Sequence, residues 1–368
     1  MLKVGLSGNP IETKIRKHFD GIGVYTATIH KTLSEYKDIE VYPLAYTKHI
    51  ESLEHSQQLS SSYMKSICEN LLFNKAKELD LDVMHFTDYH VIKTSCPSVA
   101  TVHDAIPLKY PEWVSNSNRT LKNYLIKKMV NQADHFIAVS HYAVSELVEY
   151  FKIPEERISV IHYGIDSSWL EEIALDNSIF QKYNIVKNYF LIVGTFQPRK
   201  NIERMIKAYF DLPEIIREEH PLLIVGKEGW KCGETVNLIY DYKSKYPKQI
   251  FWLNNVQSRA DLRQIYAHAF CLLFATLYEG FGIPILEGFA SNIPVITSNV
   301  ASMPEVAENA AYLVDPLSQD QIANSMFDMV KNDELRIQYI HAGRKRLEMF
   351  KWEHQINKLL SLYTSLSK

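Results

Sequence analysis

Short apolar runs alternate with longer helical patterns along almost the whole chain, and this alternation limits the possible fold more than any other feature. The runs in the first half are LKVGLSG, IEVYPLAY, DVMHFTD, PSVATVHD, HFIAVS and ISVIHYG. Those in the second half are YFLIVGT, PLLIVGK, IFWLNN, AFCLLFAT, IPVITS and AAYLVD. Strands without a clean polar and apolar alternation, separated by helices, are typical of parallel sheets covered on both faces. The sequence therefore predicts an α/β architecture of doubly wound parallel sheets.

Two domains are expected, because 368 residues exceed what a single core usually serves. The stretch from Gly164, GIDSSWLEEIALDNSIFQKYNIVKN, has no strand pattern and is interpreted as the connection. We place the domains at residues 1–167 and 168–349. The tail, residues 350–368, reads as a helix left over after the last strand of the second domain.

Charge and cysteine usage exclude several classes of protein. A formal net charge of −3 argues against a nucleic-acid partner. The four cysteines are scattered without a CxxC pair, which is typical of reduced cytosolic thiols and not of a disulfide frame or a zinc site. The chain opens on a strand-like run, and its longest apolar stretch, AFCLLFATLY, is too short to span a membrane. We predict a cytoplasmic protein that can meet a membrane only at its surface.

Two adjacent cations follow a predicted strand in VGTFQPRKNIERMIKAY. The strand ends at Gly194 and Thr195, and Arg199 and Lys200 precede a helix that we expect to open near Asn201, its natural N-cap. Arginine offers a diphosphate a planar fork, and lysine offers it a point charge. The alternative is a solvated basic turn. The position between a strand and a capped helix favours phosphate binding.

Two glutamates frame a glycine-rich turn in LYEGFGIPILEGF. Gly280 and Gly282 allow backbone N–H groups to approach an anion, and Pro284 marks the start of a helix. Glu287, near the end of that helix's first turn, can accept both hydroxyls of a ribose, and Glu279 is predicted to contact the transferred group. Alternatively, Glu287 complements the helix dipole and Glu279 is a solvated turn residue. The combination of both carboxylates with the glycines favours a ligand site.

Weaker signals come from the first half of the chain. His103 ends a strand in TVHDAIPLKYPEW, where it can contact a substrate hydroxyl, act as a base, or be a satisfied structural histidine. Gly21 and Gly23 in HFDGIGVYT are predicted to precede a helix, in a loop that closes over phosphates or the acceptor. The basic helix NRTLKNYLIKKMV is either a solvated face or a contact with anionic lipid.

Taken together, these motifs resemble the retaining glycosyltransferases of family 4, whose GT-B architecture has two Rossmann-like domains facing each other across a cleft. The most specific motif is E-x7-E, from Glu279 to Glu287, followed by NIPVITSNVASMPEV. GTFQPRKN, TVHDAIP and YGID extend the resemblance over nearly the whole chain. Within the family, GTFQPRKN and TVHDAIPLKYPE are similar to bacterial mannosyltransferases that build O-antigens and other surface polysaccharides from GDP-mannose.

The resemblance implies roles for the charged residues of the second domain. Arg199 and Lys200 would hold the diphosphate of the donor, beside Gly194. Glu287 would hold the ribose. Glu279 would contact the donor sugar or stabilise charge during transfer.

It also implies contacts made by the backbone and by the first domain. The backbone of Phe281, Gly282 and Ile283 would meet the sugar and the phosphate, and the base would lie against the backbone around Val256. His103 would reach a donor hydroxyl from across the cleft. The carboxyl-terminal helix, residues 350–368, would cross back to the first domain.

The implied activity is transfer of a hexose from a nucleotide-diphosphate sugar to a hydroxyl of a glycan or lipid-linked glycan, with retained configuration and without a metal or other cofactor. The site would then work at the inner face of the cell membrane. Val24 stands where related sequences often carry Arg, so any contact that this Arg makes with the acceptor or a phosphate is in doubt. Asn292 stands where Gly is usual, and we expect it to preserve the helix end because Asn tolerates the left-handed conformation.

Four alternatives remain open at this point. The donor can be a UDP-sugar carrying glucose, N-acetylglucosamine or galactose. The same architecture also serves nucleotide-sugar epimerases, which need no acceptor, and phosphorylases, which carry a lysine-bound pyridoxal cofactor. A partner subunit that keeps the fold without turnover is the fourth, although the intact charged residues speak against it.

Overall fold

The computed structural model describes residues 1–8, 21–46, 57–59, 62–73, 75–113, 119–256 and 258–368. The chain divides into two compact units. The first comprises Met1–Pro111, Asn116–Gly164 and Trp352–Lys368, and the second comprises Glu112–Ser115 and Ile165–Lys351. The last helix of the chain therefore belongs to the first unit.

The first unit contains a seven-stranded sheet in which all strands are parallel. Its strands are β1 (Leu2–Ser7), β2 (Ile39–Ala45), β3 (Gln57–Gln58), β4 (Val83–Phe86), β5 (Ser98–Val102), β6 (His135–Ala138) and β7 (Ile158–Val160). Their order in the sheet is β3-β2-β1-β4-β5-β6-β7. Val4 pairs with Val41 on one side and Val83 on the other, so β1 lies where the strand order reverses.

The second unit contains a six-stranded parallel sheet. Its strands are β8 (Tyr189–Val193), β9 (Leu222–Val225), β10 (Ile250–Leu253), β11 (Ala269–Phe274), β12 (Val295–Ser298) and β13 (Tyr312–Val314). Their order, β10-β9-β8-β11-β12-β13, repeats the doubly wound arrangement, with the reversal between β8 and β11. Each unit thus has the predicted doubly wound parallel sheet.

Helices connect the strands. They are α1 (Gly21–Ser34), α2 (Tyr63–Phe73), α3 (Ile106–Lys109), α4 (Arg119–Val130), α5 (His141–Glu146), α6 (Ser167–Leu170), α7 (Ser178–Tyr183), α8 (Ile202–Phe210), α9 (Glu214–Glu219), α10 (Gly233–Lys245), α11 (Arg259–Ala267), α12 (Ile283–Ala290), α13 (Met303–Ala307), α14 (Gln319–Lys331), α15 (Asp333–Leu347) and α16 (Trp352–Leu366). Among the described residues, every helix is too short or too polar to cross a membrane.

Every apolar run predicted as a strand is a strand in the structure. The reason is burial on both faces. All four residues of β9 and all four of β4 are buried, so their side chains need no polar alternation. The sequence patterns did not predict β3, because Gln57–Gln58 is a two-residue polar strand at the edge of the sheet.

A buried polar chain ties α16 to the first sheet. His85 lies on β4, and its Nδ1 is 2.6 Å from the Tyr363 hydroxyl of α16 while its Nε2 is 2.7 Å from Thr101 Oγ1 on β5. The Tyr25 hydroxyl of α1 lies 3.0 Å from the same Thr101 oxygen. Burial lowers the pKa of His85 to about 3, so the imidazole is neutral at ordinary pH.

Candidate functional site

The predicted diphosphate-binding residues follow the two strands that flank the reversal point of the second sheet. β8 and β11 pair directly, with Leu191 opposite Leu272. Chain segments leaving the carboxyl ends of such strands line the crevice where doubly wound folds bind ligands. The turn Pro198–Lys200, here called the RK turn, follows β8, and residues 279–282, here called the EGFG loop, follow β11. Sheet order alone brings these segments together.

Gly194 allows β8 to turn sharply into this region. Its φ is +145°, a conformation that residues with a side chain rarely adopt. A Cβ at this position would lie 3.4 Å from Lys200 Cε and 3.5 Å from Lys200 Nζ. These are ordinary van der Waals distances, so the backbone conformation, and not the space beside Lys200, calls for glycine here.

Hydrogen bonds join the RK turn to the chain leaving β11. Leu277 N–H donates to the Arg199 carbonyl at 2.8 Å, and Arg199 Nη1 donates to the Tyr278 carbonyl at 3.3 Å. Asn201 Nδ2 donates to the Ala275 carbonyl at 2.9 Å. The two segments form one cross-linked support.

Asn201 occupies the N-cap position of α8 as predicted, but the expected capping bond is wrong. Its backbone is left-handed, with φ +58°, and its side chain makes no capping hydrogen bond. The side-chain amide instead reaches the carbonyls of Ala275 and Pro316, at 2.9 and 2.8 Å. The side chain therefore connects the RK turn to the chain that follows β11 and β13, while the backbone of Asn201 begins the helix.

Three charged side chains from the RK turn and the EGFG loop contact one another. We call Arg199, Lys200 and Glu279 the charge triad. Arg199 Nη1 lies 2.5 Å from Glu279 Oε2, and Lys200 Nζ lies 2.5 Å from Glu279 Oε1. The three side chains are only 19%, 12% and 13% exposed for Arg199, Lys200 and Glu279. Solvent therefore screens these charges weakly. With two cations and one carboxylate, the triad carries a net positive charge.

The triad shifts the pKa values of its members. Burial raises the pKa of Glu279, but the charges of Arg199 and Lys200 outweigh burial and hold that pKa below its ordinary value. Burial lowers the pKa of Lys200, and the neighbouring Glu279 offsets only part of this effect. The carboxylate is therefore ionised at neutral pH.

The aromatic side chain of the EGFG loop is in the core. The Phe281 ring is buried and packs edge-on against Phe350, with centroids 5.6 Å apart. Gly280 is also buried, and Gly282, at φ +103°, is the N-cap residue of α12. Ile283 and Pro284 are the first two helical residues, so the positive end of the helix dipole lies at this loop.

Glu287 is held by a partner that the sequence did not reveal. The Tyr266 hydroxyl of α11 donates to Glu287 Oε2 at 2.7 Å. Burial raises the pKa of Glu287, while the Tyr266 hydrogen bond and the charges of Arg259 and Lys200 oppose the rise. Lys200 and Glu287 act on each other's pKa, so Glu287 lies within electrostatic reach of the charge triad.

Val256 follows β10 at the same carboxyl edge of the second sheet, and its side chain is half-buried. Gln257, in the same predicted base-binding segment, lies outside the described residues. Ser258 then caps α11 by accepting from Asp261 N–H. The contact between Val256 and a base stays a prediction.

His103 follows β5 directly, and both of its ring nitrogens have partners in the first unit. Nε2 lies 2.7 Å from the Thr87 carbonyl, which can only accept, so Nε2 carries the proton. Nδ1 then accepts from the Tyr163 hydroxyl. This geometry matches the satisfied histidine among the alternatives, and a contact with the donor would have to replace one of these bonds.

The expectation that Gly21 and Gly23 precede a helix is wrong. Both lie within α1, whose described part begins at Gly21. A Cβ at Gly21 would meet nothing within 4 Å, so no close approach requires glycine there. His18, Phe19 and Asp20 of the same motif lie outside the described residues.

Other positioning residues escaped the sequence interpretation. Ser302 Oγ lies within hydrogen-bonding distance of two carbonyls of the EGFG loop. Gly226 follows β9, and a Cβ there would lie 2.0 Å from the Gly194 carbonyl oxygen. A glycine directly after a strand in PLLIVGK was the available signal for the second of these. For Ser302 no local pattern points to the contact.

Comparison with known proteins identifies the family. Residues 176–346 match the family model described as "Glycosyl transferases group 1", and residues 19–169 match "Glycosyltransferase Family 4". The chain belongs to glycosyltransferase family 4. The resemblance inferred from the motifs is thereby confirmed, and the protein is an enzyme of the glycosyltransferase class.

Relatives and solved structures agree with this assignment. This glycosyltransferase is 25% identical over 375 residues to the O-antigen chain mannosyltransferase B of Escherichia coli, covering 96% of this chain and 98% of the relative. It is 30% identical over 236 residues to the O-antigen chain mannosyltransferase RfbU of Salmonella typhimurium, covering 62% and 60%. Its fold superposes on sucrose-phosphate synthase from Thermosynechococcus elongatus with a TM-score of 0.74 and 17% identity, covering 100% and 99% of the two chains. The predicted GT-B fold class is confirmed.

Proposed function

We propose that this glycosyltransferase moves a hexose from a nucleotide-diphosphate sugar to a hydroxyl of a glycan or lipid-linked glycan during surface polysaccharide synthesis, with mannose from GDP-mannose as the donor of first choice. The names of the two O-antigen mannosyltransferases to which the chain is similar support the sugar and the pathway class. The observation that carries the proposal is the charge triad at the reversal point of the second sheet, with Glu287 in electrostatic reach.

The charge triad fits a departing diphosphate. As the bond between the anomeric carbon and the phosphate oxygen breaks, negative charge grows on the diphosphate and positive charge on the sugar. The leaving group can be stabilised by Arg199, Lys200 and the N-terminus of α12. Glu279, which contacts both cations, would then lie near the sugar that is attached to the diphosphate. Losing one such donor to developing charge typically lowers the rate by about 10²–10³.

Retention of configuration is part of the proposal. The acceptor oxygen would attack the face from which the diphosphate leaves, and a phosphate oxygen would take the acceptor's proton. One carbon–oxygen bond forms and one breaks, so no protein nucleophile is required. The reaction needs no metal in this scheme, which stays a prediction.

A thermal-shift screen of GDP- and UDP-sugars tests the donor, because a ligand that binds only the folded state raises its stability. Lys200→Ala and Glu287→Ala should each weaken donor binding or turnover by more than about tenfold. Lys207→Ala, an exposed lysine on α8, is the matched control. Wild-type kinetics in both site variants would refute the assignment of the site.

A further inference from the structure

Arg259 is the first residue of α11, and it comes shortly after Val256, where we predict the base of the donor to bind. Its side chain is 47% exposed, and its Nη1 lies 2.5 Å from Asp166 Oδ2. Within the described part of the chain, that carboxylate is the one acceptor bonded to the guanidinium, and the bond uses Nη1. The donors on Nε and Nη2 can therefore bind another group while the ion pair stays in place.

Asp166 fixes the direction from which Arg259 is held. It is the N-cap residue of α6, and its Oδ1 accepts from Ser168 N–H at 3.0 Å and from Ser168 Oγ at 2.6 Å. A carboxylate held by these two bonds cannot turn freely. Its second oxygen therefore orients the guanidinium of Arg259, although both side chains are partly exposed.

Arg259 shares a face of α11 with the residue that contacts Glu287. Seven positions, which is about two helical turns, separate Arg259 from Tyr266, so both residues lie on the same face. Tyr266 donates to Glu287 Oε2 at 2.7 Å. Burial raises the pKa of Glu287, while the Tyr266 hydrogen bond and the charges of Arg259 and Lys200 oppose the rise. Glu287 is thus within electrostatic reach of Arg259 as well as of the charge triad.

These groups follow the order of the parts of a nucleoside diphosphate. In the proposed function, the charge triad holds the diphosphate and Glu287 holds the ribose. The charge of Lys200 acts on Glu287 from the RK turn, and the charge of Arg259 acts on it from the start of α11. A base that is joined to this ribose and lies against Val256 would meet Arg259, which is three positions further along the chain.

We propose that Arg259 is a specificity-determining residue, which selects guanine by donating from Nε and Nη2 to the O6 and N7 atoms of the base. The inference rests on the proposed function and deepens it, since it assigns the base of the donor. Guanine presents these two acceptors side by side, and the planar fork of arginine matches them. Adenine has an amino donor beside N7, and uracil has no pair of adjacent acceptors.

Arg259→Lys tests this assignment, because lysine keeps the positive charge and loses the planar fork. GDP should bind the variant about tenfold more weakly than it binds the wild type, while the affinity for UDP should change by less than about twofold. Calorimetry measures GDP binding, and an NMR titration measures UDP binding. A contact with the phosphates or a loss of stability would weaken both ligands alike, so an equal loss for GDP and UDP would overturn the inference.

Arg263→Lys is the matched control. Arg263 lies one turn further along α11, and its Nη2 donates to the Glu171 carbonyl at 2.7 Å. This variant should keep the wild-type ratio of the GDP and UDP affinities. An unchanged ratio in Arg259→Lys would overturn the inference and leave the proposed function intact, provided that Lys200→Ala still weakens GDP binding.

A measurement on the wild type covers the case in which Arg259→Lys does not fold. In 7-deaza-GDP a C–H group replaces N7, so this ligand should bind the wild type about tenfold more weakly than GDP. Equal binding of the two diphosphates would overturn the inference. If the wild type binds UDP and not GDP, the inference fails while transfer from a nucleotide sugar stands. If it binds neither, the inference and the proposed function both fail.

Discussion

Replacing Glu279 by glutamine should strengthen binding of the free nucleoside diphosphate and slow the transfer reaction. The substitution raises the net charge of the triad by one unit, because Arg199 and Lys200 keep their positive charges. A phosphate oxygen bound to the same cations would lie about 5 Å from the carboxylate. At an effective dielectric constant of about 20, the repulsion between unit charges at that distance is roughly 3 kcal/mol. Glutamine removes this repulsion.

The full value is an upper limit, since the three side chains retain 12–19% exposure and solvent screens part of the interaction. We therefore expect GDP or UDP to bind Glu279→Gln about ten- to a hundredfold more tightly than wild type, at about 1.4 kcal/mol for each factor of ten. Turnover should fall, because the product would leave more slowly and the carboxylate that we propose to face the sugar would be absent.

Calorimetric titration of the diphosphate, with steady-state turnover measured in parallel, checks this prediction. The control is Glu203→Gln in the first turn of α8, whose carboxylate accepts from Thr235 Oγ1 at 2.8 Å. That variant should bind the diphosphate like the wild type. Equal or weaker diphosphate binding by Glu279→Gln would show that the carboxylate does not compete with the ligand for the two cations, and would refute the electrostatic argument.

Two further predictions concern the carboxylates of the site. Tyr266→Phe removes the hydroxyl that donates to Glu287 Oε2, so the pKa of Glu287 should rise further and the affinity for the donor should fall several-fold. Titrations of donor binding from pH 5 to 8 measure both effects. A pH profile of donor affinity identical to that of the wild type would contradict this prediction. Because the pKa of Glu279 is held below its ordinary value, the triad's contribution to stability should be complete above that ordinary value, about 4.3, and be lost as the pH falls through the lowered folded-state pKa. Denaturant unfolding between pH 3 and 6 should show a steeper acid loss for wild type than for Glu279→Gln, and parallel curves would exclude the linkage.

The strands were predictable because a strand that is buried on both faces consists almost entirely of apolar residues. A strand such as Ala269–Phe274 is almost wholly apolar, and no helix of similar length needs that composition. The backbone conformation of Asn292 was also predictable from the residue type, because Asn tolerates the left-handed conformation. Its φ is +57°, so the predicted left-handed end of α12 is confirmed. The start of α1 was misjudged because glycines are permitted in a helix and mark a loop only when backbone or packing requires them.

The site was only partly predictable, for a physical reason. Arg199, Lys200 and Glu279 could be assigned to strand ends from local patterns, yet their meeting depends on β8 lying next to β11, which no local pattern states. Tyr266 and Ser302 each make their contact with the site through one hydroxyl, which bonds to a residue 21 or more positions away in the sequence. Such contacts are set by packing of whole elements. Short-range sequence chemistry therefore finds the charged residues of the proposed site and misses the residues that contact them or their loop through single hydroxyls.

The two sheets share one strand order but carry different chemistry where that order reverses. In the first unit, the ends of β1 and β4 meet through hydroxyls, since Ser7 Oγ lies 2.9 Å from Thr87 Oγ1, which is 2.7 Å from Thr26 Oγ1. In the second unit, the ends of β8 and β11 meet through the charge triad. A diphosphate needs cations that persist at low exposure, whereas hydroxyls cannot neutralise its charge. Within the part of the chain that the structure describes, the charge triad therefore favours the second sheet for the proposed anion-binding role, which the shared fold alone would have allowed either sheet to take.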